Sequence, residues 1–391
     1  MRFVRLHPTV LLLGLTSFWT DAGSEMIFPL LPLFLTGTLG ASPGFLGIVE
    51  GAADLVASLL KLGAGKLSDR LGMRKPLVLA GYGIAGLVRP LVAFATAPWH
   101  VLAVRLTDRV GKGIRGAPRD ALIADAATPE TASTAFGFHR AMDHAGAVVG
   151  PLIAASLLSA GLPLRTVFLC AAVPGALALV TTAVVKERPV VVAESAPDVP
   201  VGPPGKLPRR FWRLLGIFAL FGLGNSSDAF LLLRAHELGV DSAAIPLLWS
   251  AFHVSKVGWS AVGGWVGDRV RRVYAIGAGW AVYGVVYLLF AVAWEAWHAW
   301  ALFLIYGAFF GLTEPVEKAL VRDLVPPESR GSAFGWLSLV SGLVALPASV
   351  LIGAIWQASS AFYAFTTGAT VAAVAIGSLV VWTVRDRSDA A

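Results

Sequence analysis

Long apolar runs set the strongest limit on what this chain can fold into. About twelve runs of roughly 20 residues are present, and a helix rising 1.5 Å per residue needs that length to cross a hydrocarbon core of about 30 Å. Backbone polar groups find no water inside lipid, and the runs lack the alternation of barrel strands, so we expect an all-α membrane protein. The runs cover residues 9–35, 43–62, 77–96, 99–118, 134–159, 166–185, 213–234, 243–262, 273–294, 298–318, 332–356 and 361–383.

Composition supports this assignment, since 56% of residues are hydrophobic and 14% are charged. That balance is far from the one typical of a soluble domain. The first run is too long for a cleaved signal peptide, carries Asp21 and Glu25, and leads directly into another span, so we expect it to be retained. The single cysteine, Cys170, excludes an intramolecular disulfide.

Positive charge is distributed unevenly between the connections. Lysines and arginines collect in the tails and the even-numbered connections, whereas residues 36–42, 96–98 and 357–360 carry none. Because basic loops stay on the cytoplasmic side, we expect a multi-pass protein of the plasma (cytoplasmic) membrane, with both termini cytoplasmic. The net charge of +7 is then a topology signal, and no nucleic-acid partner is expected.

A short cassette occurs twice, as GKLSDRLGMRK from Gly65 to Lys75 and as GWVGDRVRR from Gly264 to Arg272. Asp69 and Asp268 lie 199 positions apart, and the segments that begin at Asp125 and Asp323 repeat with an offset of 198. The second half is therefore a copy of the first. A proline-rich stretch lies between them, so the sequence predicts bundles over 1–185 and 213–391 joined by a cytoplasmic linker over 186–212.

The cassette resembles the loop between helices 2 and 3 of the major facilitator superfamily, G-x-x-x-D-R-x-G-R-R/K. Gly65, Asp69, Arg70, Gly72, Arg74 and Lys75 fit this pattern, whereas Met73 stands where a basic residue is usual. The second copy keeps Gly264, Asp268 and Arg269 but has Arg271 in place of the later glycine. The resemblance implies twelve transmembrane helices in two pseudo-symmetric six-helix bundles.

In that family the Asp of the loop stabilises one arrangement of the transporter by meeting a helix end in the second half. The resemblance thus implies a conformational latch. Its predicted members are Gly65, Asp69, Arg70, Gly72, Arg74, Asp268 and Arg269. An alternative is that the basic residues only hold the loop in the cytoplasm.

Helix 4 carries an unusual set of charges. Arg105 and Gly111 match the family motif R-x-x-x-x-x-G, whereas Asp108 and Arg109 depart from it. Arg105, Asp108, Arg109 and Lys112 share one helix face, and ionisable groups in a span face a water-filled cavity or a partner. Predicted cavity residues are Arg105, Asp108, Arg109, Arg140, Asp143, Asn225, His253 and Lys256. The alternative is a network of ion pairs that never touches substrate.

Buried carboxyl groups are the candidates for proton coupling, because a carrier must bind and release its proton as its surroundings change. Asp21 and Glu25, one turn apart on helix 1, are the first candidates. Glu50, Asp54 and Asp228 complete the predicted set.

Helix 5 resembles the antiporter motif G-x8-G-x3-G-P-x2-G-G of the same superfamily. Gly137, Gly146, Gly150 and Pro151 match its spacing, whereas Ala154 and Ala155 replace the final glycines. The resemblance implies export, although small residues at this spacing also serve as a plain packing seam between helices.

Taken together, these features predict a secondary transporter that works by alternating access. The leading hypothesis is proton-coupled efflux of small amphiphilic compounds, which resembles the drug/proton antiporter branch. One alternative is an importer or exchanger of an organic anion or metal-chelate, and another is a receptor or lipid-handling protein. No nucleotide loop, nucleophile elbow or metal-ligand spacing points to an enzyme, a cofactor or a metal site, and a monomer suffices.

Overall fold

A computed structural model describes residues 6–31, 34–41, 43–187, 207–240 and 244–388 of the protein; the side chains of residues 43–55 are not part of this description. Within the described ranges the secondary structure is helical and contains no strand. The predicted linker 186–212 falls mostly on residues 188–206, which lie outside these ranges.

Fourteen α-helices occur in the described ranges. The first half of the chain forms α1 (Pro8–Glu25), α2 (Pro43–Leu71), α3 (Lys75–Val88), α4 (Pro98–Ala126), α5 (Ala132–Ser159), α6 (Leu164–Cys170) and α7 (Ala172–Val184). The second half forms α8 (Arg209–Gly224), α9 (Ala229–Glu237), α10 (Ile245–Gly267), α11 (Arg272–Val292), α12 (Ala296–Leu324), α13 (Arg330–Ala358) and α14 (Ala361–Ser388).

The fourteen helices correspond to the twelve apolar runs, because two runs are interrupted. The sixth run contains α6 and α7, and the seventh contains α8 and α9, which are separated by non-helical backbone at residues 225–227. The first run was predicted to be one helix over 9–35, but α1 ends at Glu25 and a 3₁₀ turn follows over Phe28–Leu30. Pro29 lies in that turn and has no N–H to continue the α-helical ladder.

Seven described stretches are long and apolar enough to cross a membrane on their own, namely 75–94, 132–159, 164–184, 272–292, 296–324, 327–356 and 361–384. The long helix α4 is not among them. Its charged residues, which include Arg105, Asp108 and Arg109, lower its hydropathy, so it needs neighbouring helices or water to cover its polar face.

The helices group into two compact units. One comprises Met1–Thr128, Phe138–Gly205 and Pro326–Ser338, and the other comprises Pro129–Gly137, Lys206–Val325 and Leu339–Ala391. The first turns of α5 and α13 therefore belong to the unit built mainly from the opposite half of the sequence.

Helix pairing within the units follows the internal repeat. In the first unit, α4 packs against α2 and α3, and α7 packs against α1 and α3. In the second unit, α12 packs against α10 and α11, and α14 packs against α8 and α11. Corresponding helices thus make corresponding contacts, as the repeated cassettes lead one to expect.

Candidate functional site

The first loop cassette caps the start of α13. Asp69 lies in the last turn of α2, and its carboxylate accepts hydrogen bonds from Gly331 N at 3.0 Å and Ser332 N at 2.6 Å. These N–H groups have no partner inside their own helix, and the positive end of the helix dipole favours an anion there. Gly65 permits the approach, since a Cβ at this position would overlap the Gly331 carbonyl group.

Arg74 is the centre of this cap and is 1% exposed. Its guanidinium donates to Asp125 Oδ2 at 2.6 Å, to Asp69 Oδ1 at 2.9 Å and to the Pro327 carbonyl at 2.6 Å. Arg330 donates to the other Asp125 oxygen at 2.6 Å. Burial alone would lower the pKa of Arg74, but Asp125 and Asp69 raise it above its ordinary value, so this arginine stays charged.

The second cassette makes the same cap on α5. Asp268 accepts hydrogen bonds from Ser133 N and Thr134 N, both at 2.8 Å. Arg272 lies 3.7 Å from the Asp268 carboxylate and donates to Asp323. Each copy therefore combines a capping aspartate, an arginine and a second aspartate.

Some predicted latch residues lie outside these networks. Arg70 is exposed, and so is Arg269, whose guanidinium stacks over the Trp265 ring at 4.2 Å. Gly72 follows the end of α2 with a φ of +62°. Sequence reasoning did not select the partners Asp125, Asp323, Arg272 and Arg330, although the repeat of Asp125 at Asp323 was a usable signal.

Asp108, on the charged face of α4, forms an ion pair with an arginine of a different segment. Asp108 is 1% exposed and accepts a hydrogen bond from Arg89 Nε at 2.7 Å, and Arg89 also donates to the Thr20 carbonyl at 2.7 Å. Arg105 lies over the Phe28 ring at 5.2 Å. Asp108 is thus bonded to Arg89, the residue that directly follows α3.

The two acids of α1 have contrasting surroundings. Asp21 lies near Lys112 and near the carboxyl group of Asp143, which accepts a hydrogen bond from Ser17 one turn earlier on α1. Asp143 also accepts a hydrogen bond from Arg140 at 2.9 Å. Glu25 instead faces cations, of which Arg89 acts most strongly. Glu50 and Asp54 carry side chains outside the described set.

Lys112 stands at the middle of α4, and its side chain is exposed. A lysine at such depth avoids hydrocarbon, so water or polar partners must cover the face of α4 that carries Lys112 and Arg109.

The glycine motif of α5 forms a close packing seam. A Cβ on Gly146 or Gly150 would overlap the carbonyl oxygens of Phe18 and Ala22 on α1. Gly137 makes an equally close approach to α10. Pro151 lies inside α5 directly after the seam. The seam therefore holds α5 against the helix that carries Asp21 and Glu25.

In the second unit, Asp228 follows the break between α8 and α9. It accepts a hydrogen bond from Tyr306 Oη at 3.1 Å and lies 3.9 Å from Lys256 Nζ. Lys256 is 5% exposed, and its ammonium group lies over the rings of Phe310 and Phe252 at 3.7 and 4.0 Å. The predicted residues Asp228 and Lys256 thus come together.

The other predicted residues of this unit lie nearby. The His253 ring packs edge-on against Trp249 at 5.1 Å. Asn225 caps the end of α8 and lines a cavity of about 220 Å³. Two acids of α12, Glu314 and Glu317, also line this cavity but were not among the predicted site residues.

No group of three or more metal-ligating side chains occurs in the part of the chain that the structure describes.

Known proteins resemble all or part of this chain. An uncharacterised MFS-type transporter of Methanocaldococcus jannaschii is 34% identical over 361 residues, which is 90% of each chain. The multidrug resistance protein MdtH of Photorhabdus laumondii is 29% identical over 136 residues, about a third of each chain. The crystal structure of a human organic anion transporter superposes with a TM-score of 0.77, covering 95% of this chain and 99% of that one, at 18% identity, which shows the fold alone.

The model of the Major Facilitator Superfamily matches residues 13–234 and 214–391. The match confirms the predicted all-α fold of twelve membrane-spanning helices in two bundles. The chain belongs to the Major Facilitator Superfamily and is a multi-pass membrane transporter of small molecules, not an enzyme.

Proposed function

We propose that the protein exports small amphiphilic compounds in exchange for protons. It would act as a monomer in the plasma membrane, with both termini cytoplasmic and with bundles divided near residues 185 and 213. The observation that carries the proposal is the contact of Asp143 with α1, where its carboxyl group accepts a hydrogen bond from Ser17, one turn before Asp21. The partial similarity to a multidrug resistance protein and the glycine motif of α5 also favour export.

The neighbouring carboxyl groups of Asp21 and Asp143 suit proton exchange for a simple chemical reason. Two neighbouring carboxyl groups are more stable when they share a proton than when both are ionised, because like charges repel. When that proton leaves, two adjacent negative charges repel each other and attract nearby cations such as Lys112 and Arg140. Protonation is thereby coupled to the packing of α1, α4 and α5.

The loop latches provide the second part of the mechanism. Each cap stabilises one arrangement of the transport cycle, and each is released when the transporter changes its access. Because Asp69 and Asp268 bind backbone N–H groups, release exposes those groups to water without breaking a helix.

A second candidate function rests on the cations of α4. Arg105, Arg109 and Lys112 follow one another along a single face, and guanidinium groups bind carboxylates in a bidentate manner. An importer or exchanger of an organic anion or metal-chelate would use them as a substrate clamp.

Proton movement in liposomes tests the leading proposal. Purified protein is reconstituted with an internal pH dye, and lipophilic cations, zwitterions and organic anions are added under an imposed pH gradient. We expect substrate-triggered proton movement that Asp21→Asn abolishes and that the exposed control Glu237→Gln leaves intact. Proton movement that persists unchanged in Asp21→Asn would overturn the assignment, and anion uptake without proton movement would favour the second function.

A further inference from the structure

The cavity of the second unit has a chemistry that differs from the cation-rich face of α4. We propose that this cavity binds a small organic cation with an apolar, preferably aromatic, body. This inference rests on the proposed function, because it names the class of substrate that would be exported.

Aromatic rings form the apolar wall of the cavity. Phe221 and Trp280 stack with their ring centroids 4.4 Å apart and their planes 3° from parallel, and the Phe309 ring lies 5.6 Å from Phe221. Ring faces carry partial negative charge and attract cations. A ligand with a planar apolar body can stack against this wall.

The neighbouring aromatic cluster already holds one ammonium group. Lys256 Nζ lies over the Phe310 ring at 3.7 Å, and Phe310 also lines the cavity. The protein thus stabilises a buried cation on the same aromatic surface that a ligand would meet.

Two acids contribute to the lining of the cavity. Glu314 and Glu317 are one turn apart on α12, and both are half-buried and line the cavity. Lys318, the next residue along α12, also acts on Glu317, so two carboxyl groups and one lysine stand close together here. Carboxylates together with ring faces are the groups that recognise an ammonium ion.

A third observation concerns the indole N–H of Trp280. The side chain is fully buried, and Glu317 is the acceptor beside its Nε1–H group. This donor holds the Glu317 carboxyl group next to the aromatic wall.

The size of the cavity limits the ligand. The cavity has a volume of about 220 Å³, whereas one water molecule occupies about 30 Å³ in the liquid. It is smaller than most pockets that bind drug-sized molecules. A phenylalkylamine is therefore a better fit than a large polycyclic cation.

Equilibrium binding to the purified full chain in detergent tests this proposal with three probes of one skeleton. These are 2-phenylethylammonium, 2-phenylethanol and phenylacetate. We expect the ammonium probe to bind about tenfold or more tighter than the alcohol, as a charge-assisted contact predicts, and phenylacetate to bind most weakly. Tighter binding of phenylacetate than of the ammonium probe would overturn the proposal.

Matched variants locate the site. Glu317→Gln and Glu314→Gln should each weaken ammonium binding by about tenfold and leave alcohol binding unchanged, whereas Glu237→Gln should change neither. Unchanged ammonium binding in both glutamate variants would overturn the assignment.

Different results would overturn proton coupling and the cation-binding cavity. Ammonium binding that depends on Glu317, found in a protein that moves no protons, would support the cavity and overturn proton coupling. Proton movement that responds equally to all three probes would support the coupling and overturn the cavity.

Discussion

The two loop cassettes make the same helix cap but differ in what surrounds it. Asp69 and Asp268 each accept hydrogen bonds from two backbone N–H groups at a helix start. The arginine beside the first cap, Arg74, has a side chain that is 2% exposed, whereas that of Arg272 in the second copy is 13% exposed. The first copy is therefore the more deeply buried network.

The cations around the two caps come from different positions. Arg330, at the start of α13, donates to Asp125 in the first copy, whereas the residue 198 positions earlier is Ala132. Asp323 in the second copy pairs with Arg322, its neighbour in sequence, and with Arg272. Both copies keep the cap, but the additional arginine beside the second aspartate is Arg330 in the first copy and Arg322 in the second.

The start of the central connection adds to the first copy. Glu187 accepts hydrogen bonds from Arg74 N at 2.5 Å and Lys75 N at 2.9 Å, at the beginning of α3. The first cassette is thus held from two sides, which leads us to expect larger effects when it is disrupted.

Arg74→Met should have the largest effect. It keeps much of the side-chain volume but leaves Asp69 and Asp125 close together without their shared guanidinium, and breaking a buried pair is strongly destabilising. We expect the free energy of unfolding, measured by SDS titration in mixed micelles, to fall by about 3 kcal/mol. Arg70→Met in the same loop is the control, since Arg70 is exposed, and an equal loss in both variants would refute the role of Arg74.

Asp69→Asn and Asp268→Asn compare the caps directly. Asparagine keeps the shape but presents an NH₂ group to N–H donors and removes the charge that favours the helix start. Because Arg74 lies 2.9 Å from Asp69 and Arg272 lies 3.7 Å from Asp268, we expect a loss of about 2 kcal/mol for the first variant and about 1 kcal/mol for the second. Equal losses in the same titration would show that the additional charges of the first copy contribute nothing.

The fold was predictable because about twelve apolar runs of this length, without the alternation of barrel strands, cross a hydrocarbon core as helices. The capping aspartates were predictable because the cassette repeats. Their partners were not, since the contacts of Asp125 with Arg74 and Arg330 join residues that are 51 and 205 positions apart. The basic residues of the motif were equally ambiguous, because Arg74 is buried and Arg70 is exposed.

Within the spans, helical periodicity predicted which residues share a helix face, but it did not predict which residues pair. It placed Asp108 beside Arg105 and Arg109, whereas the bond that forms is to Arg89 on a neighbouring segment. Glu314 and Glu317 were visible as acids within a span, but a cavity between several helices leaves no local pattern in the sequence.

The smallest predicted effect concerns the glycine that the second cassette lacks. Gly72 follows α2 with a φ of +62°, a conformation that costs a non-glycine residue about 1 kcal/mol, and no neighbouring atom would meet an added Cβ. The corresponding residue 199 positions later, Arg271, has a φ of −59° and is exposed, so the second loop needs no glycine. Gly72→Ala should therefore lower the free energy of unfolding by about 1 kcal/mol, whereas Arg271→Ala should change it by less than about 0.5 kcal/mol. Both substitutions create alanine in a loop of the same repeat, so a larger loss for Gly72→Ala in SDS titration is the result that the positive φ of Gly72 predicts. An Arg271→Ala loss as large as that of Gly72→Ala would mean that the Arg271 side chain contributes to the second cap, and that the two loops are more alike than their backbones.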